Sequence, residues 1–170
     1  MINVLFVCLG NICRSPMADA VMAHMVEEAG LSAQIRVDSA GTGGYHVGEK
    51  AHRGTLAVLQ RKGIKYDGRA RQFRGNDPDN FDYILTMDRS NLSNVWRIIP
   101  DNVTPTRNTV KRSGRTVVIR PFLHYAHDAG MVDELEVPDP YYSDTFDEVY
   151  QLVKQGCAAL LDHIREMHGI

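Results

Sequence analysis

Cys8 and Arg14 stand at the two ends of a short turn, Cys8-Leu9-Gly10-Asn11-Ile12-Cys13-Arg14-Ser15, with Pro16 directly after it. The order supplies a nucleophile, an anion cradle and a fixed cation within one stretch of chain. Inward-facing backbone amides around a glycine-bearing turn form a concave anion site, and a helix that follows adds its positive end. Gly10 allows close approach of the main chain to a ligand, and Asn11 is one of the few other residues that tolerate positive φ. Arg14 presents a planar fork that matches two phosphate oxygens and keeps its charge at any working pH. Sulfur attacks as thiolate, a form favoured by both the helix terminus and the neighbouring cation. The pattern predicts attack of Cys8 on phosphorus, with the amides of Leu9, Gly10, Asn11, Ile12, Cys13 and Arg14 holding the other phosphate oxygens. Amides and one arginine neutralise that charge, so neither a metal nor another cofactor is called for. No Gly-Lys-Ser/Thr element follows, which argues against an ATP-type phosphate loop. The plainer alternative, a buried packing cysteine and a solvated arginine, leaves the Gly, Asn, Ser and Pro around them unexplained.

Sulfur alone does not complete the reaction. An ester leaving group needs a proton, and hydrolysis of a phosphocysteine needs a base to activate water. Asp139, in Glu136-Val137-Pro138-Asp139-Pro140-Tyr141-Tyr142, is the candidate for both steps. Prolines on each side stiffen the segment, and Pro140 pushes Asp139 away from helical dihedrals. By itself an Asp-Pro pair reads as a turn; the cysteine loop is what raises it.

Four separated stretches now stand in order: residues 8–15, Asp38-Ser39-Ala40-Gly41-Thr42, Asp82-Tyr83-Ile84-Leu85-Thr86-Met87-Asp88 and Asp139-Pro140-Tyr141-Tyr142. Together they resemble the low-molecular-weight protein tyrosine phosphatases over nearly the whole chain. The resemblance implies Cys8 as nucleophile, Arg14 as phosphate and transition-state ligand, and Asp139 as general acid and then base. It implies that Asn11, Ser15 and Ser39 hold the loop in shape, with Ser15 also supporting the Cys8 thiolate. Leu9, Ile12, Tyr45, Tyr141 and Tyr142 are implied to line a slot for a phenyl ring. A reversible Cys8–Cys13 disulfide is implied under oxidation. The chain departs from the family twice. Tyr66-Asp67-Gly68-Arg69-Ala70-Arg71-Gln72 carries no histidine where some members have one, and residues 102–114 are longer than usual.

The elements that must position these groups are legible too. Val4 to Val7 is a continuous apolar run of the kind that a two-sided parallel sheet buries. A helix is predicted from Met17 to Ala29, with Ser15 as N-cap, Pro16 at its first position and Gly30 as its stop. Further strands are predicted at Ile35–Asp38, Tyr83–Thr86 and Thr116–Ile119. Helices are predicted at His52–Lys62, from Asp88 to before Pro100, and from about Thr145 with Phe146, Val149, Val153, Leu160, Ile164 and Met167 on one face. The alternation indicates a three-layer α/β/α sandwich. Its expected centre is a four-stranded parallel sheet with the site at the strands' carboxyl ends. Residues 101–115, polar and carrying Arg107, Lys111, Arg112 and Arg115, read as a solvated loop or hairpin tip rather than a docking site for an acidic partner.

The 170 residues suit one domain spanning the chain. A formal charge of −2 argues against a general nucleic-acid binder. No apolar stretch approaches the roughly 20 residues of a membrane helix, and Met1-Ile2-Asn3 leads into the first strand without a basic signal region. Three cysteines, one needed as thiolate, favour a reducing compartment, the cytoplasm being simplest. Cys157 reads as core filler. His124 and His127 come nearest to a metal pair but lack further ligands at usable spacing. The expected partners are phosphotyrosine-bearing proteins, with inorganic phosphate or other oxyanions as inhibitors and a monomer or weak dimer as the working state. Two related activities are disfavoured. Arsenate reductases on this scaffold relay oxidation through further cysteines, which residues 76–115 lack, and protein-arginine phosphatases carry threonine where this chain has Ile12. A binding module without turnover is expected to have lost Cys8, Arg14 or Asp139.

Overall fold

The computed structural model describes residues 1–100, 105–106 and 108–170. Its centre is a sheet built from β1 (Ile2–Cys8), β2 (Ile35–Gly41), β3 (Tyr83–Thr86), β4 (Pro105–Thr106), β5 (Thr109–Arg112) and β6 (Arg115–Pro121). The spatial order is β2-β1-β3-β6-β5-β4. Strand β1 is parallel to both β2 and β3, and β3 is parallel to β6. The helices are α1 (Arg14–Glu28), α2 (Arg53–Arg61), α3 (Arg89–Ile98), α4 (His124–Asp128) and α5 (Phe146–His168), with a short 3-10 turn at Asp77–Asp79.

The apolar run of β1 supplies both cores because alternate residues point to opposite faces. Val4 and Phe6, with Tyr83 and Leu85, face Met17, Val21, Val153 and Leu160 of α1 and α5. Leu5 and Val7, with Ile84, Val117 and Ile119, face Val95 of α3 and the rings of Phe73 and Phe81. This is the three-layer arrangement expected from the alternation of elements. Among the described residues, no helix is long and apolar enough to cross a membrane.

Two expectations need correction. The four parallel strands are present, but among the described residues the sheet has six, extended past β6 by antiparallel β5 and β4. Ser113 and Gly114 both take positive φ, 50° and 76°, the twist of a tight hairpin turn that matches the flanking strands. Two arginines of this segment, Arg112 and Arg115, are paired internally. Arg112 Nε donates to Asp79 at 2.6 Å and Arg115 Nη1 to Asp82 at 2.9 Å, so neither is held out as a free cation. Residues 101–104 and 107 of that segment, Arg107 among them, lie outside the described residues. Secondly, α1 begins at Arg14 with Cys13 as its cap residue. The Ser15 hydroxyl is therefore free of capping, and Pro16 still falls in the first turn, where no intrahelical N–H is needed.

Candidate active site

The turn between β1 and α1 is gripped from outside by its own carbonyls. Thr42 N–H donates to Cys8 O and Gly43 N–H to Leu9 O, each at 2.9 Å. From the other flank, His52 N–H donates to Ile12 O at 2.7 Å and Thr55 Oγ1 to Cys13 O at 3.0 Å. A trans peptide directs its N–H opposite its C=O. With those carbonyls turned outward, the amides of Leu9, Gly10, Cys13 and Arg14 are aimed the other way, into the concavity. Gly41 lets the outer strand come this close, because a Cβ there would lie 2.6 Å from Leu9 O.

Asn11 takes φ 56° as anticipated for an asparagine in such a turn. Its Nδ2 donates to Ser15 Oγ at 2.9 Å, while its Oδ1 accepts from Arg71 N–H at 2.9 Å. Ser15 Oγ lies 3.0 Å from Cys8 Sγ and 3.4 Å from Ala40 O, so its proton has the sulfur as its nearer acceptor. Ser39 lies one step away from this pair. Its hydroxyl faces Asp19 rather than Asn11 or Ser15 and donates to Oδ2 at 3.1 Å. In the stretch that lacks a histidine, Tyr66 provides the polar group, its hydroxyl donating to the same Asp19 oxygen at 3.1 Å. Gly68 makes room for it, since a Cβ at 68 would meet Tyr66 Oη at 2.4 Å.

Burial, reinforced by the charge of Asp38, raises Asp19 to about 6, against hydrogen bonds from Tyr66 and Ser39 that pull it down. Its unfolded reference is 3.8. A carboxyl raised on folding favours the native state below its unfolded value, and that support fades as pH climbs through about 6. Asp19→Asn is therefore expected to remove a pH dependence on the order of 3 kcal/mol. Relative to the variant, the wild type loses stability between pH 4 and pH 7. Urea unfolding of both proteins across that range checks it, and a pH-independent difference would overturn the assignment.

Arg14 is 3 % exposed and held by three oxygens. Its Nη1 donates to Asp88 Oδ2 at 2.7 Å and to Val137 O at 3.0 Å, and Nη2 lies 3.7 Å from Asp139 Oδ2. Asp88 also caps α3, accepting from Asn91 N–H at 2.8 Å. The segment carrying Asp139 is pinned two residues upstream, where Val137 N–H donates to Met87 O at 2.8 Å. Tyr141 N–H donates to Asp139 Oδ1 at 3.1 Å, fixing the carboxyl from the other side.

These elements enclose a cleft of about 360 Å³ lined by Cys8, Leu9, Gly10, Ile12, Cys13, Arg14, Tyr45, His46, Asp139, Tyr141 and Tyr142. Cys8 and Ile12 lie buried at its depth, whereas Tyr45 and Tyr142, 78 % and 93 % exposed, form the outer rim. Cys13 shares the cleft, but burial and then the charges of Cys8 and Asp139 push its thiol up to about 12. It stays protonated near neutrality. Cys157, fully buried in α5, is likewise pushed well up by burial. His124 and His127 each stand beside Asp128 on α4, at 2.8 and 3.8 Å.

Sequence reasoning missed four contributors. Asp88 lay inside a quoted stretch, where an Asp before a helix reads only as an N-cap. His46 follows Tyr45 into the cleft, its Nδ1 2.6 Å from Glu49. His52 and Thr55 carried no local sign that the start of α2 would reach the phosphate turn.

Residues 3–168 match the family model described as low molecular weight phosphotyrosine protein phosphatase. The chain is 44 % identical over 167 residues to the low molecular weight protein-tyrosine-phosphatase YfkJ of Bacillus subtilis, covering 98 % of this chain and 97 % of that one. It is 41 % identical over 164 residues to PtpA of Staphylococcus epidermidis, covering 96 % and 94 %. The crystal structure of YfkJ superimposes with a TM-score of 0.83 at 42 % identity, covering 98 % and 96 % of the two chains. That of the Drosophila arginine phosphatase DARP superimposes with a TM-score of 0.81 at 30 % identity, covering 97 % and 98 %. With a buried cysteine, an anchored arginine and a turn of inward amides at the head of its first strand, the chain belongs to the low molecular weight phosphotyrosine protein phosphatase family and is a protein-tyrosine phosphatase.

Proposed function

We propose that Cys8, Arg14 and Asp139 carry out the hydrolysis, on phosphotyrosine in proteins, by two in-line displacements. In the first, the Cys8 thiolate attacks phosphorus, the bond to the phenolic oxygen breaks, and Asp139 gives that oxygen its proton. In the second, water attacks the phosphocysteine, Asp139 takes the proton, and the P–S bond breaks to release inorganic phosphate and the thiolate. The amides of residues 9–14 and the Arg14 fork hold the three remaining oxygens throughout. The observation that carries this reading is the approach of Arg14 Nη2 to Asp139 Oδ2, 3.7 Å, above a cleft whose floor is Cys8. An acid and a phosphate ligand then face the same reacting group.

A deep floor favours a long, flat side chain, because only such a group sets its phosphate on the sulfur while its ring passes Leu9, Ile12 and Tyr141. Ile12, 7 % exposed, offers that ring an apolar contact. A second reading, hydrolysis of phosphoarginine, draws on the similarity to the Drosophila enzyme, but a branched alkyl group suits a guanidinium less well than a phenyl ring. Residues 1–170 act as one domain, and a reducing compartment, the cytoplasm, suits a nucleophilic cysteine that must not be oxidised. Cys13, close along the turn, is available for a protective disulfide with it. The cradle accepts inorganic phosphate and other oxyanions as competitive inhibitors, and the working unit is a monomer or weak dimer.

Asp139→Ala tests the acid. General acid catalysis contributes about 10² to 10⁴-fold, and its share grows as the leaving group becomes more basic. The variant is expected to lose roughly a hundredfold more kcat/KM, which reports the step that expels the leaving group, on phenyl phosphate than on para-nitrophenyl phosphate. Equal losses on both would remove Asp139 from that role. Faster wild-type turnover of phosphoarginyl than of phosphotyrosyl peptides would favour the second reading.

A further inference from the structure

His52 is tied to three parts of the site at once. Its backbone N–H holds Ile12 O in the phosphate turn at 2.7 Å. Its Nδ1 accepts from Gly54 N–H at 3.0 Å, which makes the imidazole the N-cap of α2. Its ring stacks on Phe146, the first residue of α5, at 4.9 Å and 17°, and meets Tyr141 edge-on at 5.6 Å. One turn into α2, Thr55 holds Cys13 O. A single side chain thus joins the clamp on the phosphate turn to the aromatic wall beside Asp139.

That arrangement demands the neutral ring. An Nδ1 that accepts a hydrogen bond carries no proton, and a helix N-terminus repels a cation. Burial, then Arg53 and His46, disfavour the charged form, against the charge of Asp144. Arg53 comes from α2, His46 from the segment after β2, and Asp144 and Tyr141 from the segment before α5. Among the described residues, these are the charged and titratable groups that bear on the ring.

We infer that neutral His52 is a positioning residue, which caps α2 and props Tyr141 so that the pocket wall and the phosphate turn are held as one unit, and that its protonation in acid releases the wall. This deepens the reading of the cleft as an aryl-phosphate site and rests on it. The ring and the cap have separable effects. His52→Asn keeps an acceptor for Gly54 N–H but removes the ring. His52→Phe keeps the ring against Phe146 and Tyr141 and cannot be protonated.

The experiment measures kcat and KM for para-nitrophenyl phosphate, and inhibition by inorganic phosphate, from pH 5 to 7.5. Substrate ionisation cancels in each ratio of variant to wild type. At pH 7.5, His52→Asn is expected to raise KM about fivefold to tenfold, the scale of one lost aromatic contact, with kcat and the phosphate inhibition constant within about twofold. His52→Phe is expected to restore KM at pH 7.5 and to escape the rise in KM that the wild type shows toward pH 5. The inference is overturned if His52→Asn weakens phosphate binding as much as substrate binding, or if the His52→Phe and wild-type profiles superimpose.

Should either variant fail to fold, NMR on the wild type decides. The Tyr141 ring signals are expected to shift with the same midpoint as the His52 imidazole, and independent titration overturns the inference. A wild type without aryl phosphatase activity would instead sink the proposed function, and the NMR result would still stand.

Discussion

Replacement of Cys8 by serine is expected to lower kcat for para-nitrophenyl phosphate by on the order of 10⁴-fold or more, the scale on which an enzyme loses rate with its nucleophile. The hydroxyl keeps the volume and the contact to Ser15 but is not ionised at neutral pH, so the attacking lone pair is much weaker. Cys13 does not take over, since its thiol is held protonated up to about 12. The carbonyl clamps on the turn involve no sulfur, so the variant is expected to bind inorganic phosphate within severalfold of the wild type. Two measurements check this: steady-state turnover, and acid-quench trapping of a phosphoenzyme from labelled substrate, expected in the wild type alone. Full activity in the variant would end the assignment of the nucleophile.

Arg14→Lys is the second large effect. A lysine preserves the charge and has one nitrogen, whereas Arg14 divides its work between two. Nη1 is anchored by Asp88 and Val137, and that anchoring leaves the rest of the fork, near Asp139, for phosphate. An ammonium that satisfies Asp88 is drawn away from the phosphate, and one that reaches the phosphate leaves a half-buried carboxylate short of a partner. In phosphoryl transfer an arginine that meets the transition state is worth about 10³ to 10⁵ in kcat, and the variant is expected to lose within that range. KM is expected to change far less, because the amides still bind the ground-state phosphate. A lysine variant that keeps kcat within tenfold would mean that position 14 contributes charge and no geometry.

The site was more legible in the sequence than its supports. Cys8, Gly10, Asn11 and Arg14 lie within one turn, so local conformational rules bring them together and the structure adds only their orientation. Asp139 is marked by its prolines and Tyr141 by its neighbour, again local signals. The supports are contacts between residues far apart in the chain: Asp88 with Arg14, Arg71 with Asn11, Thr55 with Cys13, Tyr66 with Asp19. No periodicity encodes them, because each rests on the register of two elements that meet only after folding. The cap of α1 failed for a related reason. Ser15 has the chemistry of an N-cap, but its hydroxyl is drawn to Cys8 and Asn11 instead, and the helix starts one residue before it. The parallel strands follow from apolar runs, while β5, with Val110 beside the adjacent cations Lys111 and Arg112, reads only as a solvated loop or hairpin tip.

The hairpin beyond β6 has a consequence for how molecules of this protein meet one another. A parallel sheet that stopped at β6 would present a seven-residue row of main-chain groups ready to pair with a neighbouring copy. β5 pairs along that row at Arg115–Val118, and β4 beyond it opens with Pro105, which has no N–H to donate. A proline on the outer strand takes one donor away from any strand that would pair there.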